Sequence, residues 1–135
     1  MCEAEQRIVP LAEDDVSVRN LVRHTLQQFG FVVLAAADAG EALAISQAYP
    51  DRIHILLTDV DMPGMNGIGL AENITHERCE TAVLLMSGGP TQITRKQEWA
   101  FLQKPFGPEQ LIQKLEELIA AQCDQSRRSD AGLAT

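Results

Sequence analysis

A chain of 135 residues with 45% apolar side chains is long enough to bury one hydrophobic core and too apolar to be disordered. Its formal net charge of −8 excludes a surface that wraps nucleic acid, because the phosphate backbone would repel it. No apolar run is long enough to span a bilayer, and the chain does not open with a signal-peptide pattern. The three cysteines, Cys2, Cys79 and Cys123, are odd in number and lack the spacing of metal ligands. We therefore expect a cytoplasmic protein with reduced thiols.

The hydrophobic pattern predicts five buried strands that alternate with helices. The predicted strands cover residues 8–12, 31–36, 53–58, 82–86 and 100–103. Apolar residues at helical spacing follow each of the first three strands, and a weak, short helix is expected over 91–98. A last helix begins with Pro108 in its first turn. Apolar strands with intervening helices predict a doubly wound α/β fold of three layers, with helices on both faces of a parallel sheet.

The predicted elements also set the expected limits of the domain. We expect an N-terminal extension over 1–6, one domain over 7–122 and a flexible tail over 123–135, because the residues after Gln122 are polar and small. Pro10 is expected at the very start of the first strand, since proline lacks a ladder donor.

Polar side chains stand where the predicted strands end. They are Glu13 and Asp14 after the first strand, Asp59 after the third, Ser87 after the fourth and Lys104 after the fifth. The carboxyl ends of parallel strands share one edge of a sheet, where ligands bind. If the first and third strands are neighbours, three carboxylates occupy one small space, and like charges raise one another's pKa unless a cation is present. The pattern therefore favours a site for Mg²⁺, which prefers carboxylates, waters and phosphate oxygens.

Four short blocks carry a family resemblance. They are residues 11–15 (LAEDD), 56–64 (LLTDVDMPG), 87–88 (SG) and 104–106 (KPF). In this order they resemble the signature blocks of the receiver domain of bacterial two-component response regulators, and the resemblance covers about residues 7–121. It implies the flavodoxin-like, chemotaxis-regulator-like strand order 2-1-3-4-5. The segment between Ser87 and Lys104 is shorter than is typical of the family, so the fourth helix is expected to be short or irregular.

The resemblance assigns the metal site and the phosphoacceptor. Asp59 would accept the phosphoryl group. Asp14 would bind Mg²⁺ directly, with Glu13 acting largely through water, while Asp59 and the backbone carbonyl of Asp61 would complete the shell. Mn²⁺ can substitute for Mg²⁺ in such a site.

The resemblance also assigns a switch. Lys104 would pair with Asp59 and then with the phosphoryl group. Ser87 would donate a hydrogen bond to a phosphoryl oxygen. Phe101 matches the aromatic position that changes rotamer on activation, although an aromatic residue at such a position is most often simply part of the core.

The implied partners are those of a signalling phosphoacceptor. The donor would be a sensor histidine kinase or a phosphotransfer protein, and the downstream effector protein or domain is not specified. A homodimer would use the face of the fourth helix, fifth strand and fifth helix. No direct contact with nucleic acid or membrane is expected. The domain would assist its own phosphorylation and dephosphorylation rather than act as an enzyme on a separate substrate.

Two alternatives remain open at this point. The Asp59-Val60-Asp61 stretch also resembles the opening motif of haloacid-dehalogenase-like phosphatases, in which Asp59 would be the nucleophile and Asp61 the general acid. The chain is short for that core with a cap, and no later strand ends in an acidic pair. A receiver-like binding module that signals without phosphorylation is the other alternative, and the intact acidic pair with Asp59 and Lys104 argues against it.

Overall fold

The computed structural model describes residues 7–62, 64, 66–88 and 99–134, with 123–134 described by their backbone alone. Within these residues the chain forms five strands and four helices. The strands are β1 (Ile8–Ala12), β2 (Val32–Ala36), β3 (Ile55–Asp59), β4 (Ala82–Ser87) and β5 (Ala100–Gln103). The helices are α1 (Val16–Gln28), α2 (Ala39–Ala48), α3 (Gly67–Glu77) and α4 (Pro108–Ala134). The short helix predicted over 91–98 lies outside the described residues.

The five strands form one parallel sheet in the order β2-β1-β3-β4-β5. This order confirms the doubly wound fold that the sequence predicted. β3 lies at the centre, with β1 on one side and β4 on the other. The carboxyl ends of these three strands are therefore adjacent, which places the residues that follow them at a single edge.

Alternate residues of the central strands enter two separate cores. Val9, Leu11 and Leu57 pack with α1 and α4 on one face of the sheet. Ala12 and Leu56 pack with α2 and α3 on the other face. The period of two residues is that of a strand buried on both sides. The carboxyl ends of the strands thus extend from a sheet that is packed on both faces.

Pro10 lies in the middle of β1, opposite Leu34, and not at the strand start as predicted. The amide of Ile8 donates to His54 Nδ1 (3.0 Å), and the carbonyl of Ile8 accepts from the His54 amide (3.0 Å), so this side of β1 faces β3. Pro10 is two residues further along and directs its nitrogen to the same side. The register with β3 begins only at Leu11, so the missing donor falls before the ladder starts.

The last helix, α4, continues to Ala134 and spans 27 residues. The sequence predicted a flexible tail over 123–135, whereas the backbone of 123–134 is helical. Residues 123–134 contain no proline and several good helix formers, so their polar composition did not mark a helix end. Gln122 Nε2 donates to the His54 carbonyl (2.6 Å) and so ties α4 to the start of β3. In the described part of the chain, no helix combines the length and apolarity that a membrane crossing requires.

Arg78, at the end of α3, ties that helix to the loop before β3. Its guanidinium donates to the backbone carbonyls of Asp51 (2.8 Å), Ser46 (2.9 Å) and Tyr49 (2.5 Å). These bonds satisfy carbonyls at the end of α2 that no helical amide reaches. The contact fixes the entry of the chain into the strand that ends at Asp59.

An Arg78→Lys variant is expected to lose about 1–3 kcal/mol of unfolding free energy, because an ammonium cannot reproduce the planar set of donors. Arg23→Lys is the matched control, since Arg23 is exposed and donates only to Asn20 Oδ1 (3.1 Å) among the bonds described for it. Urea denaturation of the three proteins measures the difference. Equal losses in the two variants would contradict this role of Arg78.

Candidate functional site

The carboxyl edge of the sheet gathers the polar residues that the sequence placed at strand ends. Glu13 and Asp14 follow β1, Asp59 is the last residue of β3, and Ser87 is the last residue of β4. Lys104 follows β5, and its backbone amide donates to the Ser87 carbonyl (2.8 Å). Each of these residues therefore lies at, or directly after, the end of a strand whose position is fixed by the sheet.

Three carboxylates converge at this edge. One carboxylate oxygen from each of Glu13, Asp14 and Asp59 lies within 4.8 Å of the other two. Glu13 and Asp59 are buried, whereas Asp14 is exposed and opens the cluster to solvent. Hard oxygen donors of this kind fit Mg²⁺, which binds through one or two carboxylates and keeps several waters.

Lys104 provides the positive charge of the cluster. Its Nζ lies 2.7 Å from Glu13 Oε1 and 3.5 Å from Asp59 Oδ2. The resemblance pairs Lys104 with Asp59, and here the shorter contact is to Glu13. The longer side chain of Glu13 reaches across the end of β3, and as a result the ammonium bridges the two buried carboxylates.

The ionisation of the cluster is perturbed by burial. Burial raises the pKa of the Glu13 carboxyl from its ordinary value of 4.5 to about 7, and the hydrogen bond from Lys104 opposes this rise only in part. Burial alone would lower the pKa of the Lys104 ammonium, but its hydrogen bond to Glu13 and the charges of Glu13 and Asp59 raise it. The cluster therefore holds a proton more readily than separate carboxylates would.

The raised pKa of Glu13 links pH to stability when no divalent ion is present. Between about pH 4.5 and about pH 7 the folded protein binds a proton that the unfolded chain has released, so the free energy of unfolding falls as pH rises through this window. An ion bound by these carboxylates would compete with that proton, so we expect Mg²⁺ to raise the melting temperature more above this window than below it. Melting curves with EDTA and with Mg²⁺ test this, and Glu13→Gln is expected to flatten the EDTA profile. An EDTA profile that is unchanged in Glu13→Gln would contradict the assignment.

Glu13 is held by its neighbours in sequence. Its Oε2 accepts the Asp15 amide (3.2 Å), and its carbonyl accepts from Arg19 Nη1 (2.9 Å). Asp15 Oδ1 accepts the amides of Ser17 (2.9 Å) and Val18 (3.3 Å), so Asp15 caps α1. The third acidic residue of this run thus has a structural role, and the first two serve the cluster.

Asp61 and Ser87 form a second contact at this edge. The Asp61 amide donates to Asp59 Oδ1 (3.4 Å), and the hydroxyl of Ser87 donates to Asp61 Oδ2 (3.4 Å). Ser87 is fully buried, whereas Asp61 is exposed. The receiver-domain resemblance gave a role to the Asp61 carbonyl and none to its carboxylate.

Residues 9–116 match the family described as the response regulator receiver domain. The chain belongs to this family. The match covers most of the described fold, and it includes every strand end that contributes to the cluster.

The receiver domain is similar to proteins of several organisms. It is 34% identical over 108 residues to the C4-dicarboxylate transport transcriptional regulatory protein DctD of Rhizobium meliloti, covering 76% of this chain and 23% of that protein. It is 27% identical over 121 residues to the probable transcriptional regulator ycf27 of Cyanophora paradoxa, covering 87% of this chain and 50% of that protein. The structure of the chemotaxis protein CheY4 of Vibrio cholerae superposes with a TM-score of 0.76 at 30% identity, covering 84% of this chain and 99% of that one. The chain thus spans at most half of these two curated relatives.

Phe101 of the receiver domain lies on β5, opposite Leu85 of β4. It is half-buried and packs against the core on the side of α2 and α3. This position suits either a core residue or a switch, and its change of rotamer stays a prediction.

Two residues of the receiver domain that the sequence did not point to contact the backbone of Asp59. The buried hydroxyl of Thr58 donates to the Asp59 carbonyl (3.0 Å). Gly67, the first residue of α3, lies against the same carbonyl. A polar residue within an apolar strand was the only sequence signal for Thr58, and Asn66, whose side chain caps α3 by accepting the Gly69 amide (2.9 Å), marked the helix start beside Gly67.

Proposed function

We propose that this receiver domain accepts a phosphoryl group on Asp59. The observation that carries the proposal is the position of the Asp59 carboxylate, which lies within 4.8 Å of carboxylate oxygens of Glu13 and Asp14 and 3.5 Å from the ammonium of Lys104. Phosphoryl transfer needs little covalent chemistry from a protein, and it depends on positioning and on neutralising charge. This edge of the sheet offers both.

In the proposed step, an oxygen of the Asp59 carboxylate forms a bond to phosphorus. The phosphorus–nitrogen bond of a donor phosphohistidine breaks, and its electron pair stays on the imidazole nitrogen. Lys104 Nζ, 3.5 Å from Asp59 Oδ2, is near enough to stabilise negative charge on the transferred group. Glu13, Asp14, Asp59 and the Asp61 carbonyl would hold Mg²⁺, which when bound neutralises charge on phosphoryl oxygens.

The new phosphoryl group would change the contacts around it. Its oxygens are strong acceptors that compete with Glu13 for Lys104 and with Asp61 for the Ser87 hydroxyl. Movement of Ser87 would leave space near β5, and burial of Phe101 would then favour the active state. The switch is thus a local electrostatic change that biases an element with two states.

The partners follow from the same proposal. A sensor histidine kinase or a phosphotransfer protein would supply the phosphoryl group in the cytoplasm. The effector, and a homodimer on the face that includes β5 and α4, are proposals that rest on the family alone. The residues between β4 and β5 would belong to that face, and most of them lie outside the described part of the chain.

A small phosphodonor tests the proposal without a partner. Incubation with phosphoramidate and Mg²⁺ is expected to add one acid-labile phosphoryl group per chain, and EDTA is expected to prevent it. Intact mass spectrometry measures the product. Absence of labelling over a range of donor and Mg²⁺ concentrations would contradict the proposal.

An incubation with a stable phosphate ester in place of phosphoramidate distinguishes the phosphatase alternative. Asp59 and Asp61 acting as nucleophile and general acid would release phosphate from a stable ester over many turnovers. A receiver domain is expected to release it only as its own acyl phosphate decays. Continuous phosphate release from p-nitrophenyl phosphate would support the phosphatase.

A further inference from the structure

The first residue of α3 lies unusually close to the backbone of Asp59. A Cβ added to Gly67 would lie 2.2 Å from the Asp59 carbonyl oxygen, 2.9 Å from its carbon and 3.1 Å from Thr58 Oγ1. Real Cβ atoms do not approach backbone atoms within 3.0 Å. Only glycine therefore allows α3 to begin at this distance from β3.

The contact is fixed on both sides. The Gly67 amide donates to the Val60 carbonyl (3.0 Å), and the Val60 amide donates to the Met86 carbonyl of β4 (2.8 Å). The Asp59 carbonyl also accepts the hydroxyl of Thr58 (3.0 Å). The backbone of Asp59 thus lies between a sheet neighbour and the helix start, and it has little room to move.

We infer that Gly67 is a positioning residue for Asp59, an inference that rests on the proposed function. Because Gly67 lets α3 begin in contact with the backbone carbonyl of Asp59, it sets the position of the Asp59 side chain. The distances from that carboxylate to Glu13, Asp14 and Lys104 depend on this position. A side chain at position 67 would force the distance to the carbonyl from 2.2 Å to at least 3.0 Å. The strand end, the helix start or both must shift, and the carboxylate shifts with the strand end.

The test compares Gly67→Ala with wild type in two measurements. At saturating Mg²⁺ and with phosphoramidate as donor, we expect the phosphorylation rate per folded molecule to fall by about tenfold to a hundredfold, since misplacement near 1 Å has effects of this size. Calorimetric titration with Mg²⁺ alone is expected to give a larger dissociation constant, because one of its three carboxylates has moved. The Mg²⁺ titration needs no phosphate transfer, so it tests the inference separately from the proposed function.

Two controls separate positioning from stability. Gly40→Ala adds a Cβ in α2 that would meet only Asp38 Oδ1, at an ordinary 3.5 Å, and it should leave both measurements unchanged. Ile74→Ala removes a buried side chain from α3, about two turns from Gly67. It should lower the melting temperature and leave the rate per folded molecule near that of wild type.

The outcomes are distinct. A Gly67→Ala protein with the rate and Mg²⁺ affinity of Gly40→Ala would overturn the inference and leave the proposed function intact. Failure of wild type to take up phosphate would overturn the proposed function. If Gly67→Ala does not fold, Thr58→Val is measured in its place, because it removes the other contact to the Asp59 carbonyl. A lower phosphorylation rate and weaker Mg²⁺ binding would support the inference. Values equal to those of wild type would overturn it.

Discussion

An Asp59→Asn variant is expected to take up no phosphate from a small phosphodonor under conditions that label wild type fully. The amide oxygen is a poor nucleophile. Glu13, the other buried carboxylate of the cluster, already accepts hydrogen bonds at both oxygens, from Lys104 Nζ (2.7 Å) and from the Asp15 amide (3.2 Å). The change also removes one negative charge from the cluster, so the fold is expected to persist with the Lys104–Glu13 pair intact. Intact mass spectrometry under matched conditions measures the loss.

Asp51→Asn is the matched control for this substitution. Asp51 is exposed in the loop before β3, and its side chain lies outside the carboxylate cluster. The control is expected to be labelled as wild type. Labelling that persists in Asp59→Asn would move the acceptor to another residue and contradict the account.

An Asp14→Asn variant is expected to bind Mg²⁺ at least about tenfold more weakly than wild type, because a ligating carboxylate is replaced by a neutral amide. Its phosphorylation rate at low Mg²⁺ should fall in parallel. Asp15→Asn makes the same change in charge one residue away, outside the cluster, and asparagine can still cap α1. Calorimetric titration of both variants measures the difference.

Equal losses in the two variants would mean that general charge, and not ligation, controls the affinity. Asp14 would then be an ordinary exposed residue at the start of α1. Weakening confined to Asp14→Asn supports the geometry in which Asp14 opens the cluster to solvent.

The fold was predictable because each strand shows its own signals. Apolar runs such as the one that becomes β4 are buried on both faces, and a carboxylate or hydroxyl directly after the run marks the carboxyl end. Asp15 could be predicted as a helix cap from its position alone. The position of Pro10 within β1 was predicted wrongly, because it depends on the register of β3, which local patterns do not contain.

The members of the site were predictable, but their contacts were not. Glu13 and Lys104 are 91 residues apart, and only the strand order brings them within 2.7 Å. The preference of Lys104 for Glu13 depends on side-chain length and on where each strand stops. The close approach of Gly67 to the Asp59 carbonyl depends on how α3 packs against β3. The spacing of residues in the sequence does not predict this packing.

Chemical identification of the phosphorylated residue tests the central claim most directly. Borohydride reduces an acyl phosphate on a carboxylate to an alcohol, and peptide sequencing of the reduced protein then locates it. We expect homoserine at position 59 and at no other aspartate after incubation with donor and Mg²⁺. Homoserine at Asp14 or Asp61, or an acid-stable phosphate ester on Ser87, would contradict it.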